Sequence, residues 1–99
     1  MAEHPLKVFE KLDPKLFDLV RNTNAFAVAD GALPRKIKFL IAMALDAAHG
    51  ATEGVKALAE QAMKAGATPE EIVETIRVAQ YISGVGSVYV AARALKELL

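Results

Sequence analysis

The chain has 99 residues, enough for one domain whose folding buries roughly two-thirds of the unfolded surface. Twelve basic and twelve acidic side chains cancel, so bulk charge gives no reason to expect nucleic acid or an anionic membrane as a partner. The absence of cysteine excludes disulfides, thiolate metal sites and thiol redox chemistry, while a 54% apolar content, above the usual ~45–50%, predicts surplus apolar surface for a subunit interface.

The N-terminal stretch "MAEHPLKVFEKL" has neither a signal-peptide core nor a small-residue cleavage site. Apolar runs also fall far short of the ~20 residues of a membrane span, so a cytoplasmic protein is expected. Helical spacing recurs from end to end, and no stretch alternates for long enough to compete as a strand, which makes the fold all-α. Asp13-Pro14 offers an N-cap followed by proline at the first helical position, and Leu16, Leu19 and Val20 then share a face until "NTN" weakens the pattern. A further short helix through Phe26 and Val28 is expected to end near Asp30-Gly31.

Leu33-Pro34 restarts the chain. "RKIKFLIAMALDAA" places Ile37, Leu40, Ile41, Ala44, Leu45 and Ala48 at helical spacing, with Phe39 and Met43 widening the stripe. A helix so apolar should be central. Gly50 is a stop, Thr52 a candidate cap, and Val55, Leu58, Ala59, Ala62 and Met63 mark the inward face of a second long helix closed by Gly66. Together the two form a helical hairpin. "ATPEEI" reads as a capping box, with Thr68 as N-cap, Pro69 at the first position and Glu71 three residues after the cap. Ile72, Ile76, Ala79 and Ile82 follow on one face; "SGVGS" then breaks the helix, and Val88, Ala92, Leu95 and Leu99 carry a last helix to the terminus.

Three polar features are candidates for chemistry. Were the helix to run through Gly50, Asp46, His49 and Glu53 would lie within roughly 60° of one another, as acid/base groups or as ligands for a divalent metal completed by another subunit. The other reading is a helix C-terminus, with His49 meeting the last carbonyls and both carboxylates solvated. His4, the second histidine, sits in the N-terminal segment. Arg35, Lys36 and Lys38 follow Leu33-Pro34, either as an anion contact or as an ordinary exposed turn. "GVGS" lacks the preceding strand and the lysine of a phosphate loop; close packing explains Gly84 and Gly86, with Tyr81 and Tyr89 candidates for the edge of a pocket.

The succession of an apolar helix ending in Gly50, "ATEGVKALAEQAMKAGAT", "TPEEI" and "ISGVGSVYVAARAL" resembles the carboxymuconolactone decarboxylase family and its alkylhydroperoxidase-D-like (AhpD-like) core. The likeness covers roughly residues 33–99, leaving 1–32 as an N-terminal helical extension of a single domain spanning 1–99. It implies an all-α AhpD-like domain with a central helical hairpin, assembled as a trimer or hexamer. Redox members of that family look like G-C-x-x-C-x-x-x-H-x-x-x-A-x-x-x-G, preceded by a glutamate of a proton relay. On this frame Gly50, Ala62 and Gly66 match, whereas the cysteine positions hold Ala51 and Gly54, the histidine position Leu58 and the relay glutamate position Phe39. Thiol peroxidase activity is thereby excluded, since no thiolate exists to attack or to resolve.

Three functions stay open. One is a cysteine-less, divergent AhpD-like protein with its site vacated or moved toward Asp46, His49 and Glu53. Another is a lyase or isomerase of the decarboxylase type, with His49 as acid/base beside a cation such as Arg35 or Lys38. The third is a non-enzymatic, ligand-binding oligomer with an apolar pocket near Phe39, Leu58 and Tyr81. No cofactor is expected beyond a divalent metal at His49, and the partners expected are further copies of the chain and a small molecule.

Overall fold

The computed structural model describes residues 5–99, so His4 lies outside the described residues. Six helices follow one another: α1 (Lys7–Leu12), α2 (Pro14–Val28), α3 (Arg35–His49), α4 (Thr52–Lys64), α5 (Pro69–Ser83) and α6 (Gly86–Leu95). No strand occurs among the described residues, as the helical periodicity requires.

The α3–α4 hairpin is the centre of the molecule, and glycine chemistry closes both of its helices. Gly50 takes a left-handed φ of 80° and Gly66 one of 106°, a region open to glycine without a Cβ penalty. At each, two backbone donors fold back on the helix end in a Schellman arrangement. Ala51 N–H donates to the Asp46 carbonyl at 2.9 Å and Gly50 N–H to Ala47 at 3.3 Å; Ala67 N–H donates to Ala62 at 2.8 Å and Gly66 N–H to Met63 at 3.0 Å. Carbonyls that a helix end would leave without partners are thus satisfied locally, and the chain reverses twice within a few residues.

Small side chains let the helices approach. Ala47, Ala59 and Ala62 are buried where α3 and α4 meet, around Met43, Val55 and Ile72, the largest fully enclosed side chains. Ile76 of α5 and Val90, Ala91, Ala94 and Leu95 of α6 complete this core. α5 starts as its sequence predicts: the Thr68 hydroxyl accepts from Glu71 N–H at 3.1 Å, and the Glu71 carboxylate accepts from Thr68 N–H at 2.9 Å.

Several expectations need correction. The helix begun at Asp13-Pro14 does not stop at "NTN": α2 continues unbroken to Val28, because asparagine and threonine only weaken a helix whose proline and Asp13 cap have already started it. A short α1 precedes it. Thr52 is the first residue of α4 rather than its cap, and the N-cap Ala51 offers no side chain for capping. The apolar stripe of α3 is rotated: Phe39, Leu40, Met43 and Ala47 face the core, whereas Ile41 and Leu45 point outward. α6 buries Val90, Ala91 and Ala94 instead of Ala92, and Ile82 at the end of α5 is exposed. Neither α1 nor α2 buries any residue; Val28 alone in this arm packs against the core.

The α5 cap yields a measurable expectation. The Thr68 backbone N–H, and next the Lys36 ammonium 3.1 Å away, hold the Glu71 carboxyl below its ordinary range. A carboxyl depressed in the folded state stabilises fully above its unfolded pKa, and that contribution is lost as pH falls through the folded value. In Glu71→Gln, urea unfolding followed against pH should lose part of its acid limb, while Thr68→Ala should cost about 1 kcal/mol at neutral pH.

Candidate functional site

At the α3–α4 turn the two open readings of Asp46, His49 and Glu53 meet a definite geometry. The helix does not run through Gly50; it ends at His49. The His49 ring turns back on its own helix, its Nδ1 lying 2.8 Å from the Leu45 carbonyl oxygen. A carbonyl only accepts, so Nδ1 donates to it and Nε2 is the ring nitrogen left for other partners. His49 and Glu53 are exposed and Asp46 is half-buried.

Asp46 is the constrained member of the three. Its carbonyl is fixed by Ala51 N–H, which ties the last turn of α3 to the entry of α4. Its carboxylate then lies against Gly54, in the first turn of α4: a Cβ built on Gly54 would overlap Asp46 Oδ2 and come within 2.9 Å of its Cγ. Gly54 thus makes room for the flexible end of Asp46 by close approach and not by backbone angle, for it has no positive φ. A carboxylate beside a helix N-terminus that has no side-chain cap also meets the positive end of the helix dipole.

The other sequence candidates fall elsewhere. Phe39 is buried in the core and Leu58 is packed against it, so the two positions join the hydrophobic interior. Tyr81 and Tyr89 are 82% and 63% exposed, and neither lines the groove that runs between α5 and α6. The cations at the start of α3 are engaged in local work. Lys36 pairs with Glu71, Lys38 donates to the Ala29 carbonyl, and Arg35 stacks over Phe39 with 5.4 Å from its guanidinium carbon to the ring centre. Asp30 already occupies the helix N-terminus by accepting from Arg35 N–H at 3.0 Å. Lys38 and His49 are eleven residues apart on one helix, about 16 Å along its axis, so within one chain these cations and the imidazole do not share a substrate. Among the described residues, no group of three His, Asp or Glu side chains is placed to hold a metal ion.

A fold whose described residues form six helices around a central hairpin defines the kind of protein this is. The model of the carboxymuconolactone decarboxylase family matches residues 14–97, and the chain belongs to that family. Its fold is similar to the crystal structure of apo-lpg0406, a carboxymuconolactone decarboxylase family protein from Legionella pneumophila, at a TM-score of 0.86 and 37% identity over 92% of this chain and 81% of that one. Among curated proteins there is no significant match. The family match begins at residue 14, so α2 belongs to the matched region and the family likeness extends beyond the 33–99 expected from sequence.

The contact between Asp46 and Gly54 was missed in the sequence. Its signal was a glycine in the first turn of a predicted helix, eight residues after a carboxylate, where glycine has no propensity reason to be. Gly54→Ala should gain helix propensity while evicting the carboxylate, opposing effects that should leave stability within about 1 kcal/mol of wild type. The carboxyl carbon resonance of Asp46 should nonetheless move, as read by ¹³C NMR; an unchanged resonance would mean that the carboxylate does not rest on Gly54.

Proposed function

We propose that this chain is a cysteine-free lyase or isomerase of its family, acting on a small carbonyl-containing acid by proton transfer at Asp46 and His49. The observation that carries the reading is the Asp46 carboxylate seated on Gly54. In the family's redox frame Gly54 stands at the second cysteine position, so an ionisable oxygen lies where a sulfur would be expected. His49, three residues after Asp46, offers Nε2 outward while its Nδ1 proton is occupied by Leu45. Glu53 stands at the mouth of the same turn as a second carboxylate.

Decarboxylation would break the bond between carbon and carboxylate, pass its electron pair into an enolate conjugated with the substrate carbonyl, and release CO₂. The neutral ring first takes a proton from solvent at Nε2; the enolate carbon is then protonated from that imidazolium, whose charge the Asp46 carboxylate favours, and the ring returns to its neutral form. Isomerisation uses the same groups, one taking a proton beside the carbonyl and the other restoring it. These steps need side chains and water; no metal or redox cofactor enters them. A cation for the substrate carboxylate would come from a second copy of the chain.

Assembly is part of the proposal. Ile41 and Leu45 on α3 and Leu16, Leu19 and Phe26 on α2 are exposed, more large apolar side chains than a lone small domain leaves facing water without function. A homo-oligomer, as a trimer or hexamer, would cover them. Ile41→Asp should yield a folded but smaller species by light scattering, whereas Leu40→Asp should unfold the chain by burying an unpaired charge. A monodisperse wild-type monomer at micromolar concentration would overturn this part.

The enzymatic reading is tested with carboxymuconolactone as probe, following CO₂ release and lactone absorbance. Activity should survive an alkylating agent, fall at least about 100-fold in Asp46→Asn and in His49→Gln, and be accompanied by no turnover of hydroperoxides. Equal rates in wild type and both variants, or no reaction with carboxymuconolactone or its double-bond isomers, would refute it.

A further inference from the structure

A second feature has no part in the α3–α4 turn. Between α5 and α6 runs a groove of about 450 Å³, within the usual range of small-molecule sites. Its floor is Ile76, Ala91 and Leu95, all buried, and Val73, Val85 and Val88 form exposed walls. Two polar side chains, Arg77 and Gln80, stand on the α5 rim. The Arg77 guanidinium has no hydrogen bond or ion pair among the described residues, although the carboxylates of Glu70 and Glu74 border the same side.

We infer that this groove binds an aliphatic monocarboxylate, with the tail lying along Ile76, Val88 and Leu95 and the carboxylate held by Arg77 and the Gln80 amide. Charge selects this ligand. A guanidinium with free donors at the edge of an apolar trough is the complement of an acid whose one charge stands at the end of a hydrocarbon. The trough covers two turns of α5, Val73 to Gln80, and nearly three of α6, Val85 to Leu95, about 15 Å along the latter. That length suits an extended tail of several methylenes.

Octanoate below its micellar concentration is the probe, titrated into the intact protein and followed by ¹⁵N chemical shifts and calorimetry. Saturable binding of one octanoate per chain is expected, with shifts at Val88, Ala91 and Ala92. Each methylene added between hexanoate and decanoate should tighten binding about fourfold, equivalent to about 0.8 kcal/mol. Arg77→Gln, a change on an exposed side chain, should weaken octanoate about tenfold and leave 1-octanol unaffected. Equal octanoate affinity in Arg77→Gln would overturn the assignment, as would affinity independent of chain length. Failure to bind with the groove amides protected from exchange would mean that another copy of the chain covers it, and would also overturn the inference. Carboxymuconolactone turnover at Asp46 and His49 is scored separately, so the two proposals stand or fall apart.

Discussion

Gly50 takes a conformation that an L-residue with a side chain adopts only at a cost, and the rest of the domain is arranged around that turn. Because the reversal is completed by two backbone hydrogen bonds, α3 and α4 start antiparallel and in contact from their first shared turn. Alanines along the seam then set how close the axes come, and Met43 and Val55 fill what remains. α5 and α6 pack on the product. The same turn creates the candidate site, since the bond that fixes the Asp46 carbonyl also brings its side chain over α4.

Residue 54 shows how a family frame can be kept while its chemistry changes. A side chain of any size there fills the space beside α4, and a glycine gives that space to a neighbour. Asp46 moves in, and a helix start with no cap of its own gains a negative charge. On the proposed function, one contact would serve both stability and reactivity. Phe39 and Leu58 have gone the other way, adding hydrocarbon to the interior where the redox members carry polar relay groups.

Much of this architecture could be read from sequence because its signals are local. Proline at a helix start, the Thr68–Glu71 box and the glycines at 50 and 66 act over a few residues, and each appears in the structure at the expected position. What could not be read depends on the surroundings. Periodicity marks an apolar face without saying whether its own chain or another surface covers it, which is why Ile41, Leu45 and Ile82 fit a core pattern in sequence and stand exposed in the fold. In α2 the weak helix formers Asn22, Thr23 and Asn24 lie within a helix already begun, so propagation outweighs propensity. At the site, His49 and Asp46 were visible as residue types, but the eviction space at Gly54 exists only once two helices meet.

The elbow between α2 and α3 is a joint of a different material from the body. Beyond the packing of Val28, it is fastened by Asp30 on the Arg35 backbone and by Lys38 on the Ala29 carbonyl, both exposed. Hydrocarbon packing is indifferent to ionic strength, whereas exposed charge-assisted bonds weaken within a Debye length of about 8 Å at physiological salt. Salt thus becomes a mechanical variable for this chain, acting more on the joint of the arm than on the apolar seam of the four-helix body.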